Sequence, residues 1–101
     1  MIIPEITYHP NGNKLSEAYY LNNNLHNDQG IAYSTYNQNG NKISEGYYLN
    51  GRLHNASGPA QIIYDENGNK YSGNYYLNGE WLRGVHSLEE LKRYIKLNNI
   101  S

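Results

Sequence analysis

The chain has 101 residues, which is one small domain with little area for a deep catalytic pocket. Its 8 basic and 9 acidic side chains leave a formal charge of -1, so no large field exists to steer nucleic acid or an anionic membrane. The absence of cysteine fits a reducing compartment better than a disulfide-stapled secreted domain.

Met1-Ile2-Ile3-Pro4-Glu5 has neither the basic segment nor the apolar run of a signal peptide, and no stretch approaches the ~20 apolar residues of a membrane span. A cytoplasmic location is expected, that of the host cell if the chain is phage-encoded. From there the chain repeats itself. Asn11-Gly12-Asn13-Lys14 returns as residues 39–42 and 67–70, and Tyr19-Tyr20-Leu21-Asn22 as residues 47–50 and 75–78, at a constant spacing of 28 residues. A fixed period marks a repeat architecture, with repeats at 8–35, 36–63 and 64–86 of a single domain spanning 1–101.

Each Asn-Gly at 11–12, 39–40 and 67–68 separates two alternating runs, the pattern of a β-hairpin with a two-residue loop and positive φ at both loop positions. That loop pairs Tyr36 with Ile43 and Ala32 with Tyr47. One face then carries Ile6, Tyr8, Leu15, Tyr19 and Leu21; Ala32, Tyr36, Ile43, Tyr47 and Leu49; and Ala60, Ile62, Tyr64, Tyr71, Tyr75 and Leu77. Agreement between three hairpins matters, because a slip of one residue turns every side chain over. The other face carries Ser16, Ser44 and Ser72, then Ala18, Gly46 and Asn74, then a ladder of Tyr20, Tyr48 and Tyr76 against Leu25 and Leu53. Second turns follow at Asn22-Asn23, Asn50-Gly51 and Asn78-Gly79. Gly30 and Gly58 are expected at a bulge or left-handed corner, and Pro59 opens the next strand.

The third unit replaces Leu-His-Asn with Trp81-Leu82-Arg83. Ser87-Leu88-Glu89-Glu90 is then a capping box, and Leu88, Leu91, Tyr94 and Ile95 make an apolar stripe. A capping helix over 88–97 is predicted, with Trp81 and Leu82 anchoring it on the sheet. The fold class is therefore mainly β, an antiparallel meander of three hairpin repeats forming a twisted or curled sheet, with one C-terminal α-helix.

Tyr47 to Ala60, read with Tyr64 and Asn67-Gly68, resembles the variant MORN-type repeats of bacterial proteins, giant viruses and tailed phages. The resemblance covers residues 4 to 86. It is fullest in the second unit; the first has Asn23 for Gly and Ile31 for Pro, and the third lacks Leu-His. It implies a β-meander scaffold for interaction with a partner that differs between members. The segment from Tyr76 to the charged helix resembles the end of small phage proteins of this type.

Chemistry-bearing residues are few. His26 and His54 occupy equivalent positions but lack the further ligands a metal site needs, so a repeat-structural hydrogen bond is expected instead. Glu17 and Glu45 are equivalent too, yet the third copy is Gly73; they are expected to meet Lys or a Tyr hydroxyl rather than hydrolyse glycosides. No catalytic residue, cofactor or metal is assigned, and the chain is read as a non-enzyme. The expected function is a protein-binding module, a phage or mobile-element inhibitor of a host factor such as a CRISPR-type defence effector. Candidate interface residues are Tyr20, Tyr48, Tyr76 and Trp81, since binding energy concentrates in Tyr, Trp and Arg, together with the basic Lys92, Arg93 and Lys96. The alternatives are a carbohydrate-binding repeat, resembling choline- and glucan-binding cell-wall repeats, and a self-associating protein that dimerises through edge strands. Nucleic-acid binding through stacked tyrosines and membrane association are disfavoured by the near-neutral charge.

Overall fold

The computed structural model describes residues 3–100. Each 28-residue unit builds a long hairpin followed by a short one. The first unit gives β1 (Glu5–Tyr8), β2 (Lys14–Ala18), β3 (Tyr20–Leu21) and β4 (Asn24–Leu25). The second gives β5 (Tyr33–Tyr36), β6 (Lys42–Gly46), β7 (Tyr48–Leu49) and β8 (Arg52–Leu53). The third gives β9 (Gln61–Tyr64), β10 (Lys70–Asn74), β11 (Tyr76–Leu77) and β12 (Glu80–Trp81), and helix α1 (Leu88–Leu97) follows. The long hairpins join into one antiparallel six-stranded sheet in the order β1-β2-β5-β6-β9-β10, with no crossover and no closure into a barrel. The short ribbons β3-β4, β7-β8 and β11-β12 stand beside it. The molecule is a slab of 48 × 33 × 17 Å.

The long hairpins turn differently from the sequence expectation. Gly40 N–H donates to Asn37 O at 3.0 Å and Asn37 N–H to Asn41 O at 2.9 Å, and of the turn residues only Gly40 has positive φ, +90°. This is a three-residue loop, a β-turn closed by a left-handed glycine. In two units a side chain before the loop braces it: Asn37 Oδ1 accepts from the amides of Asn39 and Asn41, and Asp65 Oδ1 from those of Asn67 and Asn69, while the first unit makes the same loop after His9. The loop therefore shifts the pairing at its mouth. Tyr36 pairs with Lys42, not Ile43, whereas Thr35–Ser44, Ser34–Glu45 and Tyr33–Gly46 keep the expected register. Tyr8–Lys14 and Tyr64–Lys70 repeat the shift.

Loops with two positive φ values occur in the short ribbons instead: Asn50 +52° and Gly51 +84°, Asn78 +50° and Gly79 +84°, Asn22 +52° and Asn23 +68°. Gly30 and Gly58 are not left-handed. The corner expected of them is made by a side chain: Asn55 Oδ1 accepts from Ser57 N–H, and its Nδ2 donates to Pro59 O.

Neighbouring units are tied by three hand-overs besides the sheet ladder. Asn41 Nδ2 donates to Glu66 O across the loop rim at 3.0 Å, as Asn13 does to Gln38 O at 2.7 Å. On the opposite rim, His26 Nδ1 accepts from Asn50 N–H and His54 Nδ1 from Asn78 N–H, both at 3.0 Å. In the middle, Glu45 accepts from the hydroxyl of Tyr64 in the next unit. The third unit has no successor and carries Asp65, Leu82 and Gly73 where the second has Asn37, His54 and Glu45. His54→Ala should cost about 1 kcal/mol by leaving the Asn78 amide to water. Urea titration followed by fluorescence checks this, and an unchanged midpoint would contradict the hand-over.

Large buried apolar side chains gather at the C-terminal end. Tyr75, Leu77, Leu82, Val85 and Leu91 form the core cluster, with Tyr94, Ile95 and Ile100 packed against it. The helix begins and ends where expected: Ser87 Oγ accepts from Glu90 N–H at 3.1 Å, and Glu90 Oε1 accepts from His86 N–H at 3.0 Å. Two expectations about its docking fail. Leu88 stays 40% exposed, at the edge of the stripe. Leu82 anchors the dock, but Trp81 is 47% exposed, because it pairs with Tyr76 and so lies on the opposite face of the ribbon from buried Leu77. Among the described residues, no helix is long and apolar enough to cross a membrane.

Candidate functional site

The tyrosine ladder starts from small residues. Ala18, Gly46 and Asn74 end the second strand of each long hairpin, and Tyr20, Tyr48 and Tyr76 come two residues later, on the same side of the chain. A Cβ built on Gly46 would lie 2.7 Å from Cε1 of Tyr48, so the Tyr48 ring rests directly on that glycine. Across each short ribbon the partners are Leu25, Leu53 and Trp81. Two strands per unit space the rings at about 9.5 Å.

Exposure along the row is uneven. Tyr20 is 43% exposed, while Tyr48 and Tyr76 are half-buried. Burial, followed by the neighbouring Tyr33 and Tyr76, pushes the Tyr48 hydroxyl above its ordinary pKa. Tyr76 and Trp81 stack with ring centres 6.4 Å apart and planes 18° from parallel, and the Arg83 guanidinium lies 4.7 Å from the Trp81 ring. The row thus ends in a Tyr76–Trp81–Arg83 stack, and Arg83 is the member the sequence reading missed. Its signal was present: Arg83 stands where the other units have Asn27 and Asn55.

The basic residues of α1 do not act as one patch. Lys92, Arg93 and Lys96 are all exposed, but only Arg93 faces the same groove as Trp81 and Arg83. Helix α1 packs on the Leu77 side, so the Tyr20–Tyr48–Tyr76 side has no covering layer among the described residues.

The other polar clusters are occupied within the sheet. Glu45 is buried, accepting from Lys42 Nζ at 2.8 Å and from the Tyr64 hydroxyl. Glu17 accepts from Lys14 Nζ at 3.2 Å and from the Tyr19 hydroxyl at 3.4 Å. Both carboxylates meet lysine and tyrosine, but the cross-strand contact expected of them is made only by Glu45 with Tyr64; the lysines and Tyr19 lie two or three residues away along the same run of chain. Lys14 and Lys42 bracket the Tyr36 ring at 5.4 and 6.0 Å. These groups tie strands together and leave no free nucleophile–base pair between them. Comparison of the chain with protein-family profiles, curated proteins and solved structures finds no match.

Proposed function

We propose that the chain is a non-enzymatic protein-binding module whose contact surface is the uncovered row Tyr20–Tyr48–Tyr76–Trp81. The observation that carries this reading is Trp81: a large ring left 47% exposed and held in a stack between Tyr76 and Arg83. Rigid aromatic rings lose little freedom on contact, and interface energy concentrates in them. Assignment of the target to a host defence effector, with the chain as a phage or mobile-element inhibitor, rests on the sequence resemblance alone.

The test is capture of a stoichiometric partner from host lysate by the immobilised chain. Trp81→Ala and Tyr20→Ala should each weaken capture, Trp81→Ala by about 2 kcal/mol or more in affinity. Both positions are exposed, so the fold survives, and circular dichroism confirms it. Recovery of no partner, or capture indifferent to both substitutions, would overturn the reading.

One observation favours a second reading. Around Tyr48 lie the uncharged Tyr33, Ser44, Gly46, Gln61 and Ile63, and the one acid there, Glu45, is taken up by Lys42 and Tyr64, which leaves a surface suited to a neutral glycan. A glycan array without a hit removes it.

A further inference from the structure

The chain after β12 and helix α1 form the two walls of a groove of about 420 Å³. Leu82 and Val85 make its floor, Trp81 and Arg83 one wall, and Arg93, Tyr94 and Leu97 the other. We propose that this groove binds a short acidic segment of a partner protein, seating an apolar side chain on Trp81 and Leu97 and its neighbouring carboxylates on Arg83 and Arg93. The proposal rests on the protein-binding reading and names the chemistry of the segment taken.

Three observations point to this occupant. First, the walls expose apolar surface that the core does not use: Trp81 is 47% and Leu97 77% exposed. Where Trp81 stands, the other units carry half-buried Leu25 and Leu53. Closing the last repeat required only the change of His54 to its equivalent, Leu82, which is buried. The larger side chain was placed where water reaches it.

Second, among the described residues the two guanidiniums have no acid partner. The ion pairs among the described residues are Lys14–Glu17 and Lys42–Glu45, both in the sheet. The Arg83 guanidinium carbon lies 4.7 Å from the centre of the Trp81 ring, and a guanidinium held over a ring still has in-plane N–H groups to offer a carboxylate.

Third, the acids lining the groove do not cancel these charges locally. Glu90 is turned into the capping box, accepting from His86 N–H, at the positive end of the helix. Glu80 is the other acid lining the groove, against two arginines, and the exposed Lys92 and Lys96 outnumber the exposed Glu89 on the same helix.

The probe is a short end-blocked, fluorescein-labelled peptide of leucines flanked by aspartate and glutamate. One control replaces its acids by lysine, the other its leucines by serine. Anisotropy should show saturable binding, at least ten-fold tighter than either control. The only tryptophan of the chain, Trp81, should change its emission in step. The double variant Arg83→Glu/Arg93→Glu should weaken binding at least ten-fold, about 1.4 kcal/mol, and Arg83→Gln/Arg93→Gln by less, with thermal midpoints unchanged. No saturation up to about 1 mM, equal binding of either control, or indifference to both arginine variants would overturn the proposal. Lysate capture separates its failure from that of the broader reading. A partner retained undiminished by the Glu double variant sinks the groove alone, whereas no partner for the unaltered chain sinks the binding module itself.

Discussion

Leu91→Ala is expected to be the most damaging truncation in the molecule, lowering stability by about 2–5 kcal/mol. Leu91 is 0% exposed and is the one large side chain fully buried among the described residues. Elsewhere the buried positions of the slab are small, among them Ala18, Ala32, Ala60, Ser34 and Gly46, with Glu45 the large exception. A domain of this length holds about 5–15 kcal/mol in total, so this single cavity removes a large share. The loss should undock α1 from Tyr75, Leu77 and Leu82, and helical circular dichroism should decay before the sheet signal in urea. Leu88→Ala, on the same helix but 40% exposed, is the matched control and should cost far less. A Leu91→Ala penalty below about 1 kcal/mol would mean that the helix does not close the core.

Glu45→Gln is expected to have the second largest effect. Breaking a buried ion pair from one side costs about 3–5 kcal/mol. The Lys42 side chain is 34% exposed, and solvent screening lowers the expectation to about 2–3 kcal/mol. The same cluster sets an alkaline limit on the fold. Burial, then the hydrogen bond and charge of Glu45, push the Tyr64 hydroxyl from 10.0 up to about 12. Burial lowers Lys42, but the hydrogen bond and charge of Glu45 outweigh it and leave the ammonium above its ordinary 10.5. Both groups hold a proton more tightly when folded than when unfolded. Their contribution is therefore complete below pH 10 and is lost as pH rises through 10 towards 12. Urea midpoints measured across that window should fall for the unaltered chain and fall less for Tyr64→Phe. Parallel curves would show that the cluster does not titrate as described.

Much of this fold was legible because the chain states its rule three times. Tyr33–Gly46, Ser34–Glu45 and Thr35–Ser44 follow from alternation, and α1 from Ser87 and Glu90. What alternation could not show was the loop geometry, since Asn-Gly serves both a two-residue loop and a three-residue one. Acceptors outside the dipeptide, Asn37 and Asp65, brace two of the loops, but His9 precedes the same loop in the first unit, so no one residue type there marks the choice. The candidate site was legible in part. The ladder positions came from period and pattern, but the exposure of Trp81 depended on which side of the last ribbon the helix would choose. Sequence spacing carries no information on that choice. The departures between copies become readable once neighbours are known. A Cβ added at Gly51 would lie 3.3 Å from Asn24 Oδ1 and one at Gly79 3.5 Å from Arg52 Cβ, each in the preceding unit, whereas Asn23 stands at the equivalent position of the first unit.

The hand-overs also govern how such a gene can grow. Residues 36–63 hold both halves of the rim joins. Gln38 O accepts from Asn13 and Asn50 N–H donates to His26 of the unit before. Asn41 donates to Glu66 O and His54 accepts from Asn78 N–H of the unit after, where Glu45 also accepts from Tyr64. A tandem duplication of that one segment, by slippage between near-identical stretches of coding sequence, would lengthen the slab by two strands and satisfy every new join. Duplication of the terminal unit would set Gly73 and Leu82 against partners they have nothing to offer. Inheritance can stretch this protein from its middle but not from its capped end.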